Sequence, residues 1–139
     1  MEYEAGPEME YQAEPAGAVL AMLAGLYDGG VHAVAAAGGL AEFMSVLRSA
    51  FTYVSMDALT PGILKTADIP DIAAALAPRP LLISDCVDGR NVPLGQEELN
   101  NAFGGLKKAY SGAGQSQRLK LSAAMPASTV ADWLMSSLK

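Results

Sequence analysis

The 139-residue chain has one histidine and one cysteine, and each scarcity removes a class of chemistry. With Cys86 alone there is no intrachain disulfide and no cysteine-based metal site, and a single cysteine is ordinarily a small buried apolar side chain. With His32 alone, any imidazole chemistry rests on that one residue. The nine Lys and Arg residues form no patch of the kind that follows a phosphate backbone, so no nucleic-acid partner is expected. The longest strongly apolar stretch, residues 16–27, is too short to span a bilayer, so no membrane partner is expected either. The acidic N-terminus lacks the basic and apolar regions of a signal peptide, which points to a cytoplasmic protein. A segment missing from the front of the chain would have carried any signal away with it.

What is present is apolar and small. Half of the residues are hydrophobic (51%), only 6% are aromatic, and glycine is frequent. That mixture suits helices packed closely on a sheet and argues against a disordered chain. Of the 15 acids, Glu2, Glu4, Glu8, Glu10 and Glu14 stand in the first 14 residues, which hold no base. Residues 1–15 therefore read as an acidic leader, and the alternation in Met9–Ala13 permits a short remnant strand. Residues 16–139 read as one domain.

Hydrophobic spacing predicts a helix over Ala18–Tyr27, stopped by Asp28-Gly29-Gly30. Val31–Ala37, bounded by glycines and lacking polar alternation after His32, fits a strand buried on both faces of a parallel sheet. A helix is expected over Leu40–Ala50, then a connection, then a turn or two of helix over Pro61–Ala67. Asp68 or Asp71 is positioned to cap the following helix, Ile72–Leu76. Leu81–Ser84 reads as a strand, Asp85–Pro93 as a polar loop and Gly95–Tyr110 as one long helix. Arg118–Ala123 reads as a strand near a sheet edge. Ala127–Leu138 reads as an amphipathic helix whose core face is Val130, Trp133, Leu134 and Leu138. Strands alternating with helices imply an α/β fold with a mainly parallel sheet of three to four strands.

The segment Leu59-Thr60-Pro61-Gly62-Ile63-Leu64-Lys65 … Asp68-Ile69-Pro70-Asp71-Ile72-Ala73-Ala74 … Ala77-Pro78-Arg79-Pro80-Leu81-Leu82-Ile83 resembles a specific stretch of the α/β-hydrolase superfamily. It is similar to the run that leads into the seventh strand in the acetyl xylan esterase and dienelactone-hydrolase-like esterase group. Gly38-Gly39-Leu40 and Ala131-Asp132-Trp133-Leu134 also resemble segments of that group. The resemblance covers residues 16–139 and implies a partial α/β-hydrolase fold. Val31–Ala37, Leu81–Ser84 and Arg118–Ala123 would stand as strands 6, 7 and 8, and Met9–Ala13 as a remnant of strand 5.

The same resemblance implies an inventory of catalytic parts, and most are missing. Hydrolysis by this group needs a nucleophile on a tight strand-to-helix turn, a histidine to take its proton and an acid to orient that histidine. Where the serine of the turn should stand, the chain has Pro15, with Gly17 matching the turn's last glycine. Where the histidine should follow the last strand, residues 122–128 contain none. His32 falls at the start of its strand, whereas ligands of open α/β sheets bind beyond the carboxyl ends. The acid should follow strand 7, where Asp85 and Asp88 are available. Asp88 fits better, as a vestigial acid whose ordinary role would be to cap its own loop. The carboxylate pairs Asp68/Asp71 and Asp85/Asp88 suit capping and solvation, so no metal or cofactor is expected.

The sequence thus predicts a truncated or degenerate esterase-like hydrolase, inactive alone, whose parent activity is hydrolysis of small carboxylic esters. The alternative is a non-catalytic pseudo-hydrolase that binds or oligomerises, and a decayed gene with no present role remains a third reading. A sheet beginning at strand 5 or 6 would leave an edge open, so a homodimer, a complementing chain or poor solubility is expected unless the acidic leader covers that edge.

Overall fold

A computed structural model describes residues 15–139. The expected strand at Met9–Ala13 lies outside them. In chain order the elements are α1 (Ala16–Tyr27), β1 (Val34–Ala37), α2 (Met44–Leu47), α3 (Ile69–Ala74), β2 (Leu81–Ser84), α4 (Gln96–Ala102), α5 (Gly104–Gly112), β3 (Leu119–Ser122) and α6 (Ala127–Ser137). Short 3₁₀ turns stand at Met56–Ala58, Ile63–Lys65 and Ser116–Arg118. The Ala77–Pro78 peptide is cis.

The three strands form one parallel sheet in the order β1-β2-β3, with Val34 beside Leu81 and Leu81 beside Leu119. All four residues of β2 are buried, so the central strand is covered on both faces, as its unbroken Leu81-Leu82-Ile83 run requires. The main core lies on one face. There Met22 of α1, Ile69 and Ala73 of α3, and Leu99, Phe103, Leu106 and Tyr110 of α4 and α5 pack against Val34, Leu81 and Ile83. Gly25 lets α1 lie close on β1, because a Cβ there would fall 2.6 Å from Val34 Cγ2. The Tyr110 hydroxyl, deep in this core, donates to the Arg79 carbonyl just before β2.

Several elements differ from their sequence expectation for local reasons. The long helix expected over Gly95–Tyr110 breaks at Phe103 (φ −101°, ψ 24°), where Gly104-Gly105 offers little helix propensity. Leu99, Phe103, Leu106 and Tyr110, at the spacing of one helical face, are all buried on either side of the break. The helix expected over Leu40–Ala50 shrinks to Met44–Leu47, because Leu40 bridges to Val87 and Ala41 N–H donates to the Val87 carbonyl. Extended pairing at the sheet's end overrides helical spacing there. The strand expected from Val31 begins at Val34, leaving His32 exposed ahead of it. On α6, Val130, Trp133 and Leu134 are only half-buried and Leu138 is 60% exposed, so this face borders the core rather than filling it.

One carboxylate organises the region after β1. Asp68 caps α3, accepting from Ile69 N–H at 2.7 Å, while its own N–H donates to Asp71 Oδ2 at 2.8 Å. The same carboxylate accepts from Phe43 N–H at 2.6 Å and Met44 N–H at 3.1 Å, the first amides of α2. Two helix starts, 25 residues apart in the chain, share one anion that suits both dipoles.

Candidate functional site

The carboxyl ends of β1 and β2 open into a cleft of about 570 Å³. One wall is the segment after β1, including Glu42, Ser45 and Arg48; the other is the loop after β2, including Asp88 and Arg90, running on to Glu98 of α4. This is where open α/β sheets place their ligands. The walls are pinned to each other by close backbone contact. A Cβ on buried Gly89 would sit 2.6 Å from Val46 Cα and 2.8 Å from the Ser45 carbonyl oxygen, so only glycine fits. Tyr53 N–H donates to the Gly89 carbonyl at 3.1 Å, and the Asn91 amide donates to the Tyr53 carbonyl at 3.4 Å.

Four of the cleft's charges are occupied with one another, and the fifth, Glu98, accepts from Gly95 N–H at 2.9 Å. Arg48 pairs with Glu42 at 2.8 Å and Arg90 with Asp88 at 3.2 Å. Asp88 Oδ1 accepts from the backbone N–H groups of Arg90 at 2.8 Å and Val92 at 3.0 Å, while Oδ2 takes the Arg90 guanidinium. These partners lie within five residues of chain, the geometry of an Asx turn closing a tight loop. The cleft's hydroxyls are also engaged locally: Ser45 Oγ donates to the Glu42 carbonyl at 2.6 Å, and Ser49 Oγ accepts from Phe51 N–H at 3.3 Å.

The carboxylate that reaches across the sheet is Asp85, the other acid weighed from the sequence. It directly follows the last residue of β2 with φ 53°, a left-handed conformation costly for a side chain other than glycine. Both its oxygens accept from Met125 N–H, at 3.2 and 3.3 Å, in the loop after β3. An acid after the central strand thus meets the loop after the next strand, and what it meets there is a main-chain amide. Its position immediately after the strand is the sequence signal that separates it from Asp88. Beside it, Cys86 is buried; burial, aided by the Asp85 charge, pushes its thiol up to about 12, which keeps it protonated near neutral pH.

No protein-family model, curated protein or solved structure matches the chain.

His32 lies at the other end of the sheet. It borders a cavity of about 280 Å³ at the amino ends of the strands, with Pro80, Arg118, Trp133 and Ser137. Among the described residues no carboxylate lines that cavity, and the Ser137 hydroxyl donates to the Trp133 carbonyl at 2.8 Å. A four-residue strand rises roughly 13 Å, so the imidazole and the carboxylates beyond the strand ends are far outside hydrogen-bonding reach. Among the described residues no group of three or more His, Cys, Asp or Glu side chains is placed to hold a metal ion, and no helix is long and apolar enough to cross a membrane.

Proposed function

We propose that the chain is the C-terminal half of an esterase-type α/β-hydrolase domain that does not hydrolyse esters by itself. The observation that carries this reading is the separation of its parts along the sheet. The lone imidazole lies at the amino ends of the strands, while Asp85 and Asp88 lie at the carboxyl ends, paired with backbone and arginine. Acyl transfer needs a base within about 3 Å of the nucleophile's proton, and an acid cannot take the place of the absent partners. The resemblance of residues 59–83 supports the ancestry, as does the run of parallel strands each followed by a carboxyl-end loop.

A second feature favours a piece of something larger. Helix α1 has no charged residue in its 12, and its outer stripe of Gly17, Leu20, Ala24 and Tyr27 is exposed. A helix apolar all round is normally buried on every side.

Hydrolysis of p-nitrophenyl acetate by the purified chain tests the catalytic reading. The rate should match buffer containing an equal amount of an unrelated protein, and it should be unchanged by His32→Ala, Asp85→Ala or Asp88→Ala. Turnover that disappears in any of these variants would overturn it. The cleft supports a second reading, a pseudo-hydrolase that binds an ester without cleaving it. Saturable chemical-shift changes confined to residues 41–49 and 88–102 on adding p-nitrophenyl acetate would favour that reading, and their absence would remove it.

A further inference from the structure

The two edges of the sheet are finished differently. At the β3 edge, side-chain and turn contacts occupy three of the outward backbone groups. Leu119 N–H bonds back to the Ser116 carbonyl. The Gln96 side chain then lies along the strand like a peptide unit: its Oε1 accepts from Ala123 N–H at 2.9 Å, and its Nε2 faces the Leu121 carbonyl at 3.5 Å. Lys120 adds an exposed charge, and charged residues discourage strand addition at an edge.

Among the described residues the β1 edge has none of this. Val34 N–H donates to the Pro80 carbonyl and Gly38 N–H to the Ser84 carbonyl, which fixes the parallel register. In that register Val34, Ala36 and Gly38 turn their backbone groups toward β2, and Ala35 and Ala37 turn theirs outward. Residues 33–41 carry no ionisable side chain, proline or bulge to blunt the edge.

We propose that this edge pairs with the β1 edge of a second copy, antiparallel about a two-fold axis through Ala36, giving one six-stranded sheet. The outward groups stand two residues apart and symmetrically about Ala36. Setting Ala35 opposite Ala37 of the second copy, and Ala37 opposite its Ala35, makes two hydrogen-bonded pairs. Each such pair exchanges both N–H···O bonds. All four outward N–H groups and all four carbonyls are then satisfied by one self-complementary patch, the requirement of an isologous interface. The arrangement buries both unprotected edges and leaves the two β3 edges, each occupied by Gln96, outermost. Alanine side chains allow the close approach. Helices α1 and α6 both lie over β1, and exposed Leu20, Tyr27, Met135 and Leu138 are available to extend the contact beyond the strands.

Charge selects the second copy over a foreign partner. The edge carries no charge by which to select an acidic or basic chain, while the whole protein carries −6. Self-association is therefore opposed only by long-range repulsion, which salt screens, and should tighten as salt rises. Recognition of an oppositely charged partner would weaken. This inference rests on the sheet of the described residues and not on the hydrolase reading, in which a preceding strand would hold this edge instead.

Sedimentation velocity of the full chain from about 1 to about 100 µM should show a monomer–dimer equilibrium. The dissociation constant should fall at least about twofold between roughly 0.05 and 0.5 M salt. Ala35→Pro removes an outward donor without touching the β1–β2 ladder, and Ala37→Lys places charge at an exposed position of the edge. Each should weaken dimerisation by about tenfold or more, with an unchanged circular dichroism spectrum. Amide exchange should report the same event, with Ala35 and Ala37 gaining protection as concentration rises while Ala36 is protected throughout. A monomer at every concentration, open-ended polymers, or a dimer that both variants leave intact would each overturn the proposal.

Discussion

Replacing Asp68 by alanine tests the packing logic of the region that builds one wall of the cleft. The carboxylate accepts three backbone N–H bonds, from Ile69, Phe43 and Met44. Loss of the α3 cap alone costs about 1 kcal/mol. Phe43 is 4% exposed, so its amide has little access to water once the acceptor is gone. A buried donor left unsatisfied costs about 1–3 kcal/mol, and the more exposed Met44 amide adds less. The sum is about 3 kcal/mol. A chain of this size unfolds with an entropy near 0.3 kcal/mol per degree, so the melting temperature should fall by about 10 °C. Asp68→Asn keeps one acceptor oxygen and should lose about half as much. Thermal unfolding followed by circular dichroism measures both, and hydrogen exchange locates the damage, which should appear at Phe43–Leu47 as well as at Ile69–Ala74. A loss under about 1 kcal/mol for the alanine variant, or faster exchange in α3 alone, would refute the shared-cap reasoning.

Gly89→Ala drives a methyl group into the Val46 backbone at 2.6 Å, so urea titration should show a loss of about 2 kcal/mol or more, with chemical-shift changes in residues 45–48. Ser84 Oγ is fully buried with no hydrogen-bond partner among the described residues, so Ser84→Ala should leave stability unchanged or raise it by about 1 kcal/mol. A clear loss in urea would show that the hydroxyl has a partner. Burial pushes both the Cys86 thiol and the Tyr110 hydroxyl up to about 12, with the nearby Arg79 charge partly opposing the second shift. Each group binds its proton more tightly folded than unfolded, so the stability tied to it is full below the unfolded values, near 9 and 10, and is lost as pH climbs toward 12. Urea midpoints measured across that window should fall, and fall less in Cys86→Ala and Tyr110→Phe.

Legibility in the sequence followed the range of the forces involved. Leu81–Ser84 was readable to the residue because an unbroken apolar run bounded by Pro80 and Asp85 has one outcome in a parallel sheet. The capping pattern of Asp68, Pro70 and Asp71 was readable, but the helix expected from Ile72 begins at Ile69, because Asp68 is the cap and Pro70 fits the first turn. The extent of α2 was not, since what shortens it is pairing of Leu40 and Ala41 with Val87, more than 40 residues away in the chain. The break at Phe103 was signalled by Gly104-Gly105, but spacing alone favoured continuity. At the site, the sequence located both acids and the single histidine. The acid that crosses to the loop after β3 is the one directly after the apolar run of β2, where the backbone turns left-handed at Asp85.

The Gln96 amide serves as a one-residue strand, with a donor and an acceptor set like those of a peptide. It is also the difference between a particle of fixed size and a thread. If β1 joins copies in pairs, this side chain, with Lys120 and the turn that holds Leu119 N–H, keeps the outer margins from joining too, and Gln96→Ala would hand every pair two sticky ends. Growth would then have no stopping point, and light scattering and fluorescence of an amyloid-binding dye should rise with time in that variant alone.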